Sequence, residues 1–165
     1  MSLEDGGWDG VAWAFLDARQ KKGGKSSARV QFTVNSLNKQ TGELNAKTGR
    51  IAWRYVGPPI EREHADKVAL DLMPARAVDV NGNQTVASKF ISIRVADGAG
   101  KTLIDTRIDP EGKMQPLQWH RPELKLADPH DGRIASIELY VDMSLADVPW
   151  DQRLTVWVDR MVISR

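Results

Sequence analysis

The chain contains no cysteine, which excludes disulfide stapling and thiolate catalysis. No apolar stretch approaches the roughly 20 residues that a bilayer-spanning helix needs. Neither charge sign dominates: 23 basic and 22 acidic side chains leave a net charge of +1, which favours neither nucleic acid nor an anionic membrane over a neutral partner. A secretory signal needs a basic start and an apolar run, whereas Met1–Gly10 is acidic and glycine-rich. The chain therefore reads as cytosolic, or as a mature or excised piece of something longer. Catalytic signatures are equally scarce. His64, His120 and His130 are scattered without a metal-ligand spacing, and there is no GxSxG, no phosphate loop and no GxGxxG after a strand-like run.

What is present is alternation. At 165 residues, 41% of them hydrophobic, the chain suits one domain (1–165) with a real core. In Ile134–Met143, Ile137, Leu139 and Val141 oppose Glu138, Tyr140 and Asp142. In Arg153–Ile163, Leu154, Val156 and Val158 oppose Thr155, Trp157 and Asp159. Such period-two runs are strands with one face on a core. Similar runs occupy Ala12–Asp17, Ala28–Val34, Arg50–Val56, Ala65–Met73, Lys89–Ala96, Thr102–Ile108 and Leu117–Leu126. Asp97-Gly98-Ala99-Gly100 reads as a hairpin turn, while Asn35–Thr48 and Ala75–Ala87 read as long irregular loops. About nine short strands and no convincing helix predict an all-β fold, an antiparallel β-sandwich or barrel. The last strand changes phase, because Val158 is even-numbered and the apolar Met161 and Ile163 are odd; a bulge near Asp159-Arg160 absorbs the slip.

The second faces carry the chemistry. They offer Asp71, then Ser92 and Arg94, then Glu138, Tyr140 and Asp142, then Thr155 and Trp157. On one sheet these would form a polar surface with embedded rings, which suits a sugar: rings stack on a pyranose while charged groups take paired hydrogen bonds from its hydroxyls. The competing reading is an ordinary solvated face with Tyr140 and Trp157 covered by a loop. Trp53 and Tyr55 share a face with Ile51, which argues for core, and Trp119 reads as structural. Trp150 fits either a loop-tip platform or a lid. Composition alone leaves room for a carboxylate pair of the glycosidase type among the 22 acidic residues. A calcium site could draw on Glu4 and Asp5 at the N-terminus and Asp159 at the bulge; alternatively Asp159 caps its own turn.

The order of segments resembles a known group. LEDG, GKSSARVQFTV, ADKVALDLMP, SKFISIRVADGAGK, QWHRPELKL, IASIELYVDM and LTVWVDRMVIS follow one another as in jelly-roll carbohydrate-binding modules of the galactose-binding-like type. These are appended to polysaccharide-degrading enzymes, and the C-terminal stretch is similar to accessory domains of β-agarases. The resemblance implies a jelly-roll topology and a non-catalytic module that targets an attached glycosidase or lyase to a polysaccharide or oligosaccharide. It implies an extracellular or periplasmic location, and a structural calcium with Glu4 and Asp159 among its ligands. Asp71, Arg94, Glu138, Tyr140 and Trp157 are the carbohydrate-binding candidates. One departure stands out: Arg160 follows Asp159 where many members carry an acidic or amide residue. The alternatives are an interaction domain of the same fold without sugar binding, and a small hydrolase or lyase.

Overall fold

A computed structural model describes residues 10–35, 49–54, 59–62, 66–127 and 132–164. Among the described residues twelve strands appear in chain order: β1 (Gly10–Asp17), β2 (Ser27–Val34), β3 (Arg50–Arg54), β4 (Ile60–Arg62), β5 (Lys67–Pro74), β6 (Arg76–Val78), β7 (Gln84–Val86), β8 (Ser92–Asp97), β9 (Thr102–Arg107), β10 (Glu123–Lys125), β11 (Gly132–Asp142) and β12 (Gln152–Ser164). One 3-10 turn, Ala87–Phe90, precedes β8.

The strands form two layers. The first sheet runs β1-β2-β12-β5-β10, and the second runs β3-β11-β8-β9 with β4 also paired to β11. All pairings are antiparallel. From β8 onward the chain passes β8 and β9 in the second sheet, β10 in the first, β11 in the second and β12 in the first. This alternation between layers is the jelly-roll arrangement of an antiparallel sandwich.

The predicted periodicity fills the space between the layers. Val30, Phe32, Leu70, Leu72, Leu154 and Val156 from the first sheet are fully buried, and so are Ile93, Val95, Leu139 and Val141 from the second. Each such side chain stabilises the fold by roughly 1.5–3 kcal/mol relative to an exposed one. Trp53 and Trp150, both half-buried, pack against this core. The phase slip in β12 is a bulge: Val158 pairs with Leu72, Met161 with Leu70, and the register shifts between them. The β8–β9 hairpin turns at Asp97–Gly100, where the Asp97 carboxylate accepts from the Ala99 and Lys101 amides at 2.9 and 2.8 Å. Gly100 sits at φ 82°, in the region that glycine occupies without strain.

Two expectations need correction. Ala75–Ala87 is not an irregular loop, since β6 and β7 pair within it as a small hairpin. Polar sequence hid it, because Arg76, Val78 and Gln84 present no clean apolar alternation. Only Glu123–Lys125 of the expected Leu117–Leu126 run is a strand; His120 joins Leu72 through an isolated bridge. Most of Asn35–Thr48, together with Tyr55, lies outside the described residues.

Candidate functional site

With the core between the layers, the odd-numbered positions of β2 and the early part of β12 face outward. In register across three strands, Phe15 pairs with Arg29 and Arg29 with Trp157. Phe15 is 42% exposed, and Trp157 is half-buried. The Arg29 guanidinium lies over the Phe15 ring, 5.1 Å from its centre, and its Nε is buried without a hydrogen-bond partner among the described residues. The Trp157 indole N–H donates to Asp17 at 3.0 Å. Asp17 also accepts from the backbone amides of Arg19 and Gln20, which ends β1. The indole bond is the largest of the effects that hold the Asp17 carboxyl below its ordinary pKa. One carboxylate thus closes a turn and fixes the plane of a ring.

Beside this row, Gln31 donates to the Thr155 hydroxyl at 3.3 Å. Phe15, Gln31, Thr33 and Arg153 line a shallow hollow of about 320 Å³. A second, about 330 Å³, is lined by Leu16, Asp17 and Ala18 with Arg19 and Arg29.

A charged cluster continues the same sheet. Asp71 on β5 is 1% exposed and receives three cations. Lys22 reaches it at 2.7 Å, Arg121 at 3.1 Å and Arg160 at 3.3 Å. Burial works against the charged form of Asp71, but Lys22 and Arg121 outweigh it and hold the carboxyl below its ordinary pKa. The β12 bulge turns Asp159 toward the β1–β2 connection, where it accepts from the Lys22 and Gly23 amides at 2.5 and 2.8 Å. A hollow of about 370 Å³ lies between Lys22, Gly23, Gly24, Asp71, Asp159 and Arg160.

The outer face of the second sheet is different. Glu138, 7% exposed, bonds Arg54 Nε at 2.5 Å. Tyr140, 5% exposed, donates its hydroxyl to Asp105 while the Arg50 guanidinium covers its ring at 4.4 Å. Burial and the Asp105 bond raise the Tyr140 pKa. Arg107 and Asp147 form a bidentate pair at 2.5 and 2.7 Å, and Arg94 donates to Thr102 at 3.2 Å.

The five carbohydrate-binding candidates therefore do not share a surface. Asp71 and Trp157 lie on the first sheet; Arg94, Glu138 and Tyr140 lie on the second, on the opposite side of the sandwich. Alternation assigns a residue to the outer side of its own sheet, but it does not say which sheet that is. Sequence reasoning missed Phe15, Arg29, Gln31 and Arg153. The available signal was the polar phase of Ala28–Val34, which pairs with the Trp157 strand.

The calcium expectation meets a poor donor set. Around Asp159 stand two amide N–H groups, Lys22 and Arg160, which are groups that a hard cation repels rather than binds. Among the described residues no three His, Asp or Glu side chains gather to hold a metal, and Glu4 lies outside them. Many of the acidic residues are engaged in turns instead: Asp17, Asp79, Asp97, Asp109 and Asp142 each accept amide N–H groups close by in sequence.

No protein-family model and no curated protein matches the chain. Solved structures do. A family 27 carbohydrate-binding module of Caldicellulosiruptor saccharolyticus, CBM27-1 in complex with mannohexaose, superposes with a TM-score of 0.53 at 10% identity over 90% of this chain and 80% of its own. A study of carbohydrate-binding modules from the β-sandwich superfamily supplies another, at TM-score 0.49 and 12% identity over 95% of this chain. The present chain spans about half of that one, 54%. The CBM22-1 xylan-binding domain of Paenibacillus barcinonensis Xyn10C follows at TM-score 0.41 and 13% identity, covering 96% of this chain and 85% of its own. The first superposition establishes that the chain has the β-sandwich fold found in carbohydrate-binding modules, and at such identity it establishes the fold alone.

Proposed function

We propose that the chain is a non-catalytic glycan-binding module whose ligand lies on the outer face of the first sheet, over β1, β2 and β12. The observation that carries this reading is the in-register row Phe15–Arg29–Trp157 beside Gln31 and Arg153. The partly exposed rings supply stacking, worth about 1 kcal/mol per contact beyond area burial, while the Gln31 amide exchanges directional hydrogen bonds with sugar hydroxyls and the Arg153 guanidinium donates them. Asp17 holds the Trp157 indole in one orientation, so little ordering remains for a ligand to impose. The shared fold with a module solved in complex with mannohexaose supports the reading. Shallow hollows and few rings imply an affinity of roughly micromolar to millimolar for one short oligosaccharide. A binder of that strength serves by concentrating an attached polysaccharide-degrading enzyme on its polymer, in an extracellular or periplasmic setting.

Native affinity electrophoresis through a panel of soluble neutral and acidic polysaccharides tests this. At least one polymer should retard the protein, and Trp157→Ala or Phe15→Ala should abolish the retardation. Tyr140→Ala should leave it in place. Retardation lost in Tyr140→Ala and kept in Trp157→Ala would move the site to the other sheet. A second reading, an interaction domain without sugar binding, draws on Leu16, which is 85% exposed at the end of the edge strand β1. Silence across the whole panel would favour it.

A further inference from the structure

The charge of the whole chain is nearly balanced, at +1, but its distribution is not. On the second sheet's side carboxylates and cations are paired off: Arg54 with Glu138, Arg107 with Asp147, and Arg50 with both Asp105 and Asp142. Arg94 lies in register between Glu138 and Asp105. Besides the Lys67–Glu123 pair at its β5–β10 edge, the first sheet's outer side carries Arg19, Lys22, Arg29, Arg121, Arg153 and Arg160 against Asp17, Asp71 and Asp159.

Those three acids are already committed. Asp71 is shared by three cations, a stoichiometry that leaves positive charge in excess around a hollow of about 370 Å³. Asp159 accepts two backbone amides, and Asp17 accepts the Trp157 indole and its own turn. Arg153 is exposed and has no ion-pair partner among the described residues. Each of the three hollows along this face contains at least one cation, and two of them adjoin the ring row. From β1 to β5 is three strand spacings, or roughly 15 Å, enough for an extended polymer to meet cations at several points.

We propose that the ligand is an acidic glycan, one bearing carboxylate or sulfate groups, laid across β1, β2, β12 and β5 so that its anions meet Arg29, Arg153 and the cations around Asp71. The inference rests on the glycan-binding reading above and names its substrate class. A chain with a pI near 8.0 lacks the strongly basic balance of a nucleic-acid binder, which favours the glycan.

The test is binding to polygalacturonate, to a sulfated galactan, to neutral galactomannan and to a single-stranded DNA oligonucleotide, at low and high sodium chloride. At low salt an acidic polymer should bind at least tenfold more tightly than galactomannan. Raising the salt should weaken that binding at least fivefold, a readout that needs no variant. Arg153→Glu should weaken it tenfold or more, while Arg133→Ala, in the exposed pair with Glu61 on the other sheet, should change nothing. Preference for polygalacturonate identifies carboxylate as the recognised group, and preference for the galactan identifies sulfate; either supports the proposal. Equal, salt-insensitive binding of galactomannan overturns it while leaving glycan binding intact. Tighter binding of the DNA than of any glycan overturns it in favour of nucleic acid. Binding to none of the polymers defeats both readings.

Discussion

The two outer faces of this sandwich are built from the same ingredients and arrive at opposite states. Both carry strand-borne arginines, carboxylates and a large ring. On the second sheet the arginines close over their partners, so Tyr140 lies beneath Arg50 and Glu138 bonds Arg54. On the first sheet the buried carboxylate Asp71 draws in three cations from the side, while Phe15, beneath Arg29, keeps 42% of its surface exposed and Trp157 is half-buried. A face whose charges are matched pairwise is a lid for its own sheet. A face with surplus cations and partly exposed rings has capacity left for a ligand.

Several substitutions would break or sharpen that contrast. The largest effect is expected at Asp71→Ala, which leaves Lys22, Arg121 and Arg160 crowded without their counter-charge. Because those cations are partly exposed, the loss should be about 3 kcal/mol, the low end for breaking a buried pair, read from urea denaturation. A loss below about 0.5 kcal/mol would show that the cluster is not held as described. Next comes Tyr140→Ala, expected to cost about 2 kcal/mol of stability from lost burial while glycan binding by the folded protein persists. Trp157→Ala should show the reverse balance, with binding weakened about tenfold or more.

Acid should test both faces together. Asp71 and Asp147 have folded-state pKa values held below the ordinary value of about 3.9, Asp147 chiefly by its bond from Arg107. Their stabilising contribution is therefore complete above that unfolded value and is lost as pH falls through the depressed folded values. Denaturation midpoints should be flat from about pH 5 to 7 and fall below about pH 4, and Asp147→Asn should make that fall shallower. The smallest effect belongs to Arg133→Ala, where both partners are 65% exposed; a change within about 0.5 kcal/mol is expected.

The fold was legible from period and phase. Leu154, Val156 and Val158, followed by the odd-numbered Met161 and Ile163, located both the strand and its bulge. The β6–β7 hairpin was not legible, because Arg76–Val78 and Gln84–Val86 are too short and polar to show a period. For the site, parity separated inner from outer residues correctly at Asp71, Glu138 and Trp157. It could not decide which outer residues become neighbours, since that depends on strand order, and β2, β12 and β5 are adjacent despite wide separation in sequence. Nor does composition distinguish a carboxylate awaiting a ligand from one that closes a turn, as Asp17, Asp79 and Asp97 do.

The measurement that bears most directly on the open-face claim is an NMR titration of the isotope-labelled protein with hexagalacturonate or a sulfated galactan oligosaccharide. Shifts should concentrate at the Trp157 indole N–H and at the amides of Phe15, Arg29 and Gln31, with Glu138 and Tyr140 unmoved. Shifts centred on Glu138 and Tyr140, with the Trp157 indole still, would contradict the account.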